Sequence, residues 1–131
     1  MKKYNKIVLT GASGRLGSYL REPLSKISKK LVSTDKDDIG KTLKNEVFKK
    51  IKLENFNQVN KILKKADVIV HFGAYSNEGP FQEILKANIL GAYNIWKSAK
   101  KHKIKRIIFA SSIHSVGMYQ VKQNINHKVM H

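Results

Sequence analysis

The sequence predicts an α/β fold built on a doubly wound parallel sheet, and three observations support that class. Short apolar runs alternate with segments in which apolar residues recur every three or four positions, the order that places helices between parallel strands. A glycine-rich turn joins the first apolar run to the first helical segment. With 131 residues, 41% of them hydrophobic, the chain has room for one domain with a buried core.

Five apolar runs are predicted as strands because each is short and rich in the branched and aromatic residues that favour strands. After Gly117 no strand or helix period continues, so residues 118–131 are interpreted as an irregular tail. We therefore expect one domain over residues 1–117, with its sheet truncated after about five strands. The predicted strands are Ile7 to Leu9, Leu31 to Val32, Val47 to Ile51, Val68 to Val70 and Ile107 to Phe109.

Three helices are predicted between these runs. The first extends from Arg15 to Ile27, and Pro23 inside it should kink the helix or mark an early turn. The second covers Asn55 to Lys65, and the third is longer, from Phe81 to about Lys101. The third helix has a wide apolar face with one polar member, Asn88. A buried amide must find hydrogen-bond partners, so we expect a structural role for Asn88.

The composition excludes several function classes. Without cysteine there are no disulfides, thiolate metal sites or cysteine nucleophiles. No run of 18 apolar residues and no signal-peptide pattern is present, which predicts a cytoplasmic chain without a membrane span. The net charge of +17 is typical of nucleic-acid binders. However, most of these cations are lysines spread over nearly every segment, so we interpret them as a solvated surface and expect no specific nucleic-acid partner.

The segment from Thr10 to Gly17 carries three glycines, each three residues after the last, between a predicted strand and a predicted helix. In this context Gly11 would make a tight turn, Gly14 would let the backbone approach a diphosphate, and Gly17 would let the helix pack closely on the sheet. The helix amides and dipole would hold the phosphates. The pattern predicts a Rossmann-type dinucleotide site.

An acidic residue at the end of the next strand supports this interpretation. Asp35 follows Gly17 by 18 residues, where a carboxylate accepts the ribose hydroxyls. A carboxylate there would repel a 2′-phosphate, which favours NAD over NADP. Lys36 and Arg15 could bind that phosphate, so NADP stays open as the alternative.

These motifs and several later ones resemble the extended short-chain dehydrogenase/reductase superfamily, which includes NAD-dependent epimerases and dehydratases. More narrowly, the chain is similar to uronate dehydrogenases, which oxidise a hexuronate to an aldarolactone with NAD. The likeness extends from about residue 4 to Tyr119. It depends on Thr10-Gly11-x-x-Gly14-x-x-Gly17, His71-Phe72-Gly73-Ala74-Tyr75-Ser76, Phe81-Gln82-Glu83-Ile84-Leu85, Ala87-Asn88-Ile89-Leu90-Gly91 and Ser111-Ser112-Ile113-His114-Ser115-Val116-Gly117-Met118-Tyr119.

The resemblance implies a role for each matching residue. Asp35 would bind the adenosine ribose, Ser112 would hydrogen-bond the reacting hydroxyl, and Ser76 and His114 would contact the sugar acid substrate. No metal is implied, and His71 is interpreted as a strand-end histidine with a hydrogen-bond partner. The remaining cofactor residues would be Gly11, Ser13, Gly14, Arg15, Leu16 and Gly17 at the diphosphate, with Gly73 and Ala74 at the nicotinamide.

The chain departs from the family pattern in three places. Lys52 stands where an aspartate commonly touches adenine, and Ile113 where uronate dehydrogenases usually have asparagine. The third departure is that no Tyr-x-x-x-Lys pair follows Ser112. The sequence does contain this motif at Tyr93 to Lys97. That match precedes the fifth predicted strand, which leads to Ser112, and we do not expect it to reach the nicotinamide.

Three functions follow as hypotheses. The first is an NAD-dependent oxidoreductase resembling uronate dehydrogenase, incomplete and inactive alone because the base is missing. The alternatives are an NAD-dependent sugar-nucleotide epimerase or dehydratase and a non-catalytic nucleotide-binding module. We also expect Arg106 to Ala110 to form an unpaired sheet edge through which the chain could self-associate.

Overall fold

The computed structural model describes residues 3–112. Within them five parallel strands form one sheet in the order β3-β2-β1-β4-β5. This order confirms the predicted fold class. The predicted boundary at Gly117 and the tail over residues 118–131 lie outside the described residues. The strands are β1 (Tyr4–Thr10), β2 (Ser28–Asp35), β3 (Glu46–Lys50), β4 (Val68–His71) and β5 (Arg106–Phe109).

Helices cover both faces of the sheet. They are α1 (Arg15–Ile27), α2 (Phe56–Leu63), the single turn α3 (Phe81–Ile84) and α4 (Gly91–Lys101), with a π-helical segment at Leu85–Leu90 between the last two. Along β1, alternate side chains enter opposite layers, so Ile7 and Leu9 pack with α1 while Val8 packs with α2 and α4. A sheet that is buried on both faces explains why the strands are apolar runs instead of alternating patterns.

The helix α1 has the predicted bounds, but it does not end at Pro23. Proline removes the hydrogen bond that its amide would have donated to the carbonyl of Tyr19. Tyr19 is 77% exposed, so water can satisfy that carbonyl and the helix continues to Ile27. The expected apolar stripe is only partly buried, because Leu20 and Leu24 pack on the core while Leu16 is exposed.

The third predicted helix is interrupted by the π-helical segment, which the apolar period did not predict. Its wider turn changes the register of the helix face. As a result the apolar side chains of Trp96 and Ile89 are exposed, whereas the polar side chains of Asn94 and Ser98 are buried. The side-chain Nδ2 of Asn94 donates to the carbonyl of Leu53 at 2.9 Å, which holds α4 against the segment after β3.

An ion pair fixes the connection between β2 and β3. Arg21 of α1 donates from Nε and Nη2 to the two carboxylate oxygens of Glu46, each at 2.8 Å, and the Glu46 side chain is fully buried. The same guanidinium donates to the carbonyls of Ile39 and Lys41 at 3.0 and 2.7 Å. One side chain therefore anchors most of the polar segment that follows Asp35.

Within the described residues β5 pairs only with β4, so it forms an edge of the sheet. Ile108 and Phe109 on this strand are 50% and 44% exposed. Whether the edge recruits another copy of the chain stays a prediction. No helix among residues 3–112 is long and apolar enough to cross a membrane.

Candidate functional site

A cleft of about 820 Å³ lies across the carboxyl ends of the strands β1 to β4. This is where doubly wound sheets bind ligands, and the volume falls in the usual range for small-molecule sites. The glycine-rich turn, the end of β2, the segment after β3 and the segment after β4 each contribute to the lining. The lining includes Gly11, Ser13, Gly14, Arg15, Leu16, Gly17, Asp35, Gly73, Ala74 and Ser76, ten of the twelve site residues that the sequence suggested.

The three loop glycines occupy different environments. Gly11 has a φ of +72°, and a Cβ there would lie 2.5 Å from the carbonyl carbon of Phe72. A Cβ on Gly17 would lie 1.9 Å from the carbonyl oxygen of Gly11, so the helix can rest on the turn only because position 17 has no side chain. A Cβ on Gly14 would meet a single atom, at 3.3 Å. Position 14 is exposed and open towards the cleft, which leaves its backbone accessible to a ligand.

The backbone amides at the start of α1 are available for an anion. The first helical hydrogen bond runs from the Ser18 amide to the Gly14 carbonyl at 2.9 Å. The amides of Arg15, Leu16 and Gly17 precede it, and Gly14 has no side chain to cap them. Together with the positive end of the helix dipole, they make a position that favours an anion.

Asp35 ends β2 beside this turn and is half-buried. Its Oδ2 accepts the Ser13 amide at 2.9 Å, and its Oδ1 accepts the Lys36 amide at 2.7 Å. The carboxylate therefore supports the glycine-rich turn and lies in the lining of the cleft. A carboxylate has about four acceptor positions, so further hydrogen bonds from a ligand remain possible.

His71 at the end of β4 is buried, as expected of a strand-end histidine with a partner. Its Nδ1 lies 2.6 Å from Oγ1 of Thr10, which also accepts the Gly73 amide at 3.1 Å. Burial lowers the pKa of His71 from 6.5 to about 4, so the ring is neutral at pH 7. The Thr10 hydroxyl and the neutral His71 ring share one hydrogen bond between Oγ1 and Nδ1. The network connects the ends of β1 and β4 under the cleft.

The segment after β4 is held by Asn88 from the π-helical segment. The Asn88 Oδ1 accepts the Tyr75 amide at 2.7 Å, and its Nδ2 donates to the Tyr75 carbonyl at 3.0 Å. This bidentate contact confirms a structural role for Asn88. It positions exposed Ala74 and Ser76 at the rim of the cleft, next to buried Gly73.

Other predicted residues are not placed in the cleft. Ser112 lies three residues beyond β5, is exposed and is not part of the lining, while His114 lies outside the described residues. Tyr93 and Lys97 also lie outside the lining. The Lys97 ammonium instead sits 4.8 Å from the ring centre of Phe56 and 5.5 Å from that of Tyr93.

Sequence reasoning did not identify the wall that the long helix provides. Glu83 of α3 and Lys86 and Ala87 of the π-helical segment line the cleft. The Lys86 ammonium and a Glu83 carboxylate oxygen lie 3.2 Å apart. The match around Ala87-Asn88 marked this segment, but not which side chains reach the cleft.

Comparison with known proteins agrees with this geometry. Residues 7–129 match the model of the NAD dependent epimerase/dehydratase family. A uronate dehydrogenase of Pseudomonas syringae pv. tomato is 39% identical over 124 residues, which are 94% of this chain and 45% of that protein. The solved structure of a uronate dehydrogenase mutant from Agrobacterium tumefaciens complexed with NAD is 38% identical with a TM-score of 0.80, covering 84% of this chain and 42% of that one.

A further solved structure, a glucuronic acid dehydrogenase from Chromohalobacter salexigens, is 36% identical with a TM-score of 0.84 over 88% of this chain and 44% of that one. The chain thus spans less than half the length of the relatives that it matches. A family model that covers almost the whole sequence, on a sheet of the matching architecture, assigns the chain to the NAD-dependent epimerase/dehydratase family.

Proposed function

We propose that the chain binds NAD in the cleft and provides the coenzyme-binding residues of a hexuronate oxidoreductase of the uronate dehydrogenase type. The observation that carries this proposal is the open Gly14 position beside the first amides of α1, with Asp35 alongside. A dinucleotide needs a phosphate position and a ribose acceptor close together, and the turn and the end of β2 offer both. The similarity to uronate dehydrogenases supports the reaction class.

The described residues fit such a coenzyme. The amides of Arg15 and Leu16 would hold the diphosphate, Asp35 would accept the hydroxyls of the adenosine ribose, and Gly73 and Ala74 would border the nicotinamide. Gly73 and Ala74 both line the cleft, as this fit requires. When bound, NAD would accept the hydride released as the hexuronate C1 hydroxyl is oxidised to the lactone.

On the substrate side, Ser76 would contact the sugar acid from the rim of the cleft. Ser112 would hydrogen-bond the reacting hydroxyl and His114 would contact the sugar, as the family resemblance suggests. The sequence contains Tyr-x-x-x-Lys only at Tyr93 to Lys97, outside the cleft lining. We therefore expect the 131-residue chain to bind coenzyme without turning over hexuronate by itself.

The test is a calorimetric titration of the chain with NAD and NADP, comparing Asp35→Ala with Asp38→Ala. Asp38 is an exposed acid that, within residues 3–112, accepts the Gly40 amide and does not line the cleft, so it controls for loss of charge. Losing charged hydrogen bonds to the ribose should weaken NAD by about 10- to 100-fold in Asp35→Ala. NADP should weaken less, because a repulsive carboxylate disappears as well.

Two results would count against the proposal. If wild-type chain of verified fold shows no saturable binding of NAD, the cleft is not a coenzyme site. If Asp35→Ala lowers the affinity for NAD and for NADP equally, Asp35 supports only the glycine-rich turn and does not bind the ribose.

The family also contains epimerases and dehydratases, so a sugar-nucleotide substrate is the second candidate. Titration of the NAD-loaded chain with glucuronate and with a nucleoside-diphosphate glucose separates the two. Saturation by the nucleotide sugar alone would favour the second candidate. A cytoplasmic location stays a prediction.

A further inference from the structure

The cations of the chain are scattered along the sequence, but the fold brings several of them to one place. In a parallel sheet all strands begin at the same edge, and here that edge lies opposite the cleft. The turns that enter β4 and β5, and the first residues of β2 and β5, carry exposed cations. We call this surface the basic edge; it consists of Lys30, Lys64, Lys65, Lys103, Lys105 and Arg106.

Contacts within the fold show that the basic edge is continuous across four strands. Lys30 is the register partner of Lys6 on β1, and the Lys6 ammonium donates to the Lys64 carbonyl at 2.7 Å. Arg106 at the start of β5 donates across β4 to the Tyr4 hydroxyl of β1 at 2.8 Å. Because neighbouring strands lie about 4.8 Å apart, the strands β2, β1, β4 and β5 spread these cations over about 14 Å.

The ends of the helices do not neutralise this surface. The helices α1, α2 and α4 end at this edge, and each helix end is equivalent to about half a negative elementary charge. The Lys6 ammonium donates to the Ile62 carbonyl at the end of α2 and so balances one of these ends. The last turns of the three helices also carry basic residues of their own, namely Lys26, Lys61, Lys100 and Lys101. The cations of the basic edge therefore exceed what the helix ends can balance.

The acids at this end of the sheet are engaged within the fold. The Oδ2 of Asp67 accepts the amides of Asn5 and Lys6 at 2.6 and 3.0 Å. Glu46 at the start of β3 is buried and paired with Arg21. Among the described residues, no ion pair includes a cation of the basic edge. Of the nine acids in the chain, four line the cleft at the opposite edge, namely Asp35, Asp37, Glu54 and Glu83.

Two features show that cations are crowded here at some cost to the fold. Burial and the neighbouring Lys30 ammonium lower the pKa of Lys6, which indicates repulsion between the two cations. Lys65 and Lys103 have φ values of +60° and +55°, in the left-handed region that glycine adopts more readily. Each stands in the turn between a helix and the next strand, where glycine or asparagine is usual. An anionic partner would relieve the repulsion between the cations.

The composition of the basic edge indicates which polyanion fits. Five of its six cations are lysines, which bind phosphates as point charges without the bidentate geometry of arginine. A membrane surface calls for apolar anchors as well, and among the described residues the exposed large apolar side chain beside this edge is Ile27. A DNA duplex needs phosphate contacts alone, since it carries one charge per about 1.7 Å of its axis. These features favour the backbone of a duplex.

We propose that the basic edge binds the phosphate backbone of a DNA duplex without sequence preference, on the side of the molecule opposite the coenzyme cleft. Binding there does not depend on the proposed function, because the two surfaces lie at opposite ends of the strands. It agrees with the expectation of no specific nucleic-acid partner, since phosphate contacts carry no sequence information. It differs from general attraction to a chain of charge +17, because it assigns the affinity to six residues.

The test is the fluorescence anisotropy of a labelled DNA duplex of about two helical turns, titrated with the full chain at several salt concentrations. Each phosphate contact contributes about 0.9 to the slope of log affinity against log salt concentration, so six contacts give a slope of about −5. Lys30→Gln combined with Lys105→Gln should reduce the magnitude of this slope by about 2 and lower the affinity at low salt at least about tenfold. A duplex of unrelated sequence should bind with the same affinity within about twofold.

Lys49→Gln combined with Lys50→Gln is the matched control. It removes the same charge from exposed residues at the carboxyl end of β3, outside the cleft lining, and should lower the affinity less than about threefold. Circular dichroism of both double variants checks the fold. Lys30→Gln removes a repulsive neighbour of Lys6, so we expect the edge variant to stay folded.

Three results would overturn the proposal. Equal losses of affinity in the edge variant and in the control would indicate attraction to net charge alone. Displacement of the duplex by saturating NAD would place the duplex in the cleft. If the edge variant lost affinity for phosphatidylserine vesicles but not for the duplex, the basic edge would bind a membrane instead. If the duplex binds as expected but NAD does not, the basic edge stands and the proposed function fails.

Discussion

Substitution by alanine should lower the stability of the fold at Gly17 but the affinity for NAD at Gly14. A methyl group at Gly17 would lie 1.9 Å from the carbonyl oxygen of Gly11, whereas real Cβ contacts essentially never fall below 3.0 Å. Gly17→Ala therefore forces α1 away from the turn by about 1 Å. Overpacking of this kind costs about 1–3 kcal/mol or more of stability. The higher helix propensity of alanine offsets up to about 1 kcal/mol of that loss. We expect the free energy of unfolding to fall by about 2 kcal/mol.

In Gly14→Ala the new methyl group meets only one atom, at 3.3 Å, and φ is −67°, a conformation that alanine adopts readily. The free energy of unfolding should change by less than about 0.5 kcal/mol, while NAD affinity should fall at least about tenfold because the methyl group occupies the phosphate approach. Urea unfolding and calorimetry on the two variants measure both quantities. If Gly17→Ala were as stable as wild type, α1 would not rest on the turn as described. If Gly14→Ala bound NAD normally, position 14 would not face the diphosphate.

Two further predictions concern stability. Arg21→Met should lower the free energy of unfolding by about 3–5 kcal/mol in urea titrations because it leaves the fully buried Glu46 carboxylate without its cation. Glu22→Gln removes an exposed pair and should leave the urea midpoint unchanged. Equal effects of the two substitutions would contradict the anchoring role. Burial lowers the pKa of His71 from 6.5 to about 4, so the unfolded chain takes up its proton first as the pH falls. The stabilisation from neutral His71 is full above pH 6.5 and is lost towards pH 4, about 2 kcal/mol of it between pH 7.5 and 5. His71→Gln should remove that slope and His102→Gln should keep it.

The sequence predicted the strands and the residues of the glycine-rich turn because their causes are local. A strand buried on both faces must be apolar throughout, so Val68 to Val70 could be identified without knowing its neighbours. Gly11 and Gly17 stand out because a turn and a close helix approach both exclude a side chain. Asp35 was found from its spacing alone, and the structure places it beside the turn.

The features that sequence reasoning missed depend on tertiary contacts. The ion pair between Arg21 and Glu46 joins residues 25 positions apart, and a count of charges in a lysine-rich chain does not single it out. The π-helical segment at Leu85–Leu90 arises where Asn88 holds the Tyr75 backbone, and that partner could not be deduced from a helical period. The placement of Lys50 beside Asp35 depends on the register between β2 and β3, which no local pattern in the sequence gives.

The segments that follow β1 and β4 at the cleft are held together by close packing and shared hydrogen bonds. The segments that follow β1 and β4 approach closely, since a Cβ on Gly11 would lie 2.6 Å from the Gly73 nitrogen and one on Gly73 would lie 3.1 Å from Thr10 Oγ1, closer than an ordinary contact. The Thr10 hydroxyl also bonds His71, so the turn that would hold the diphosphate and the segment that would border the nicotinamide share one buried network. A substitution at Thr10 that removed the hydroxyl would release the Gly73 amide and His71 together. The distance between the two ends is therefore set by the pairing of neighbouring strands, not by flexible loops, which is what positioning a long dinucleotide requires.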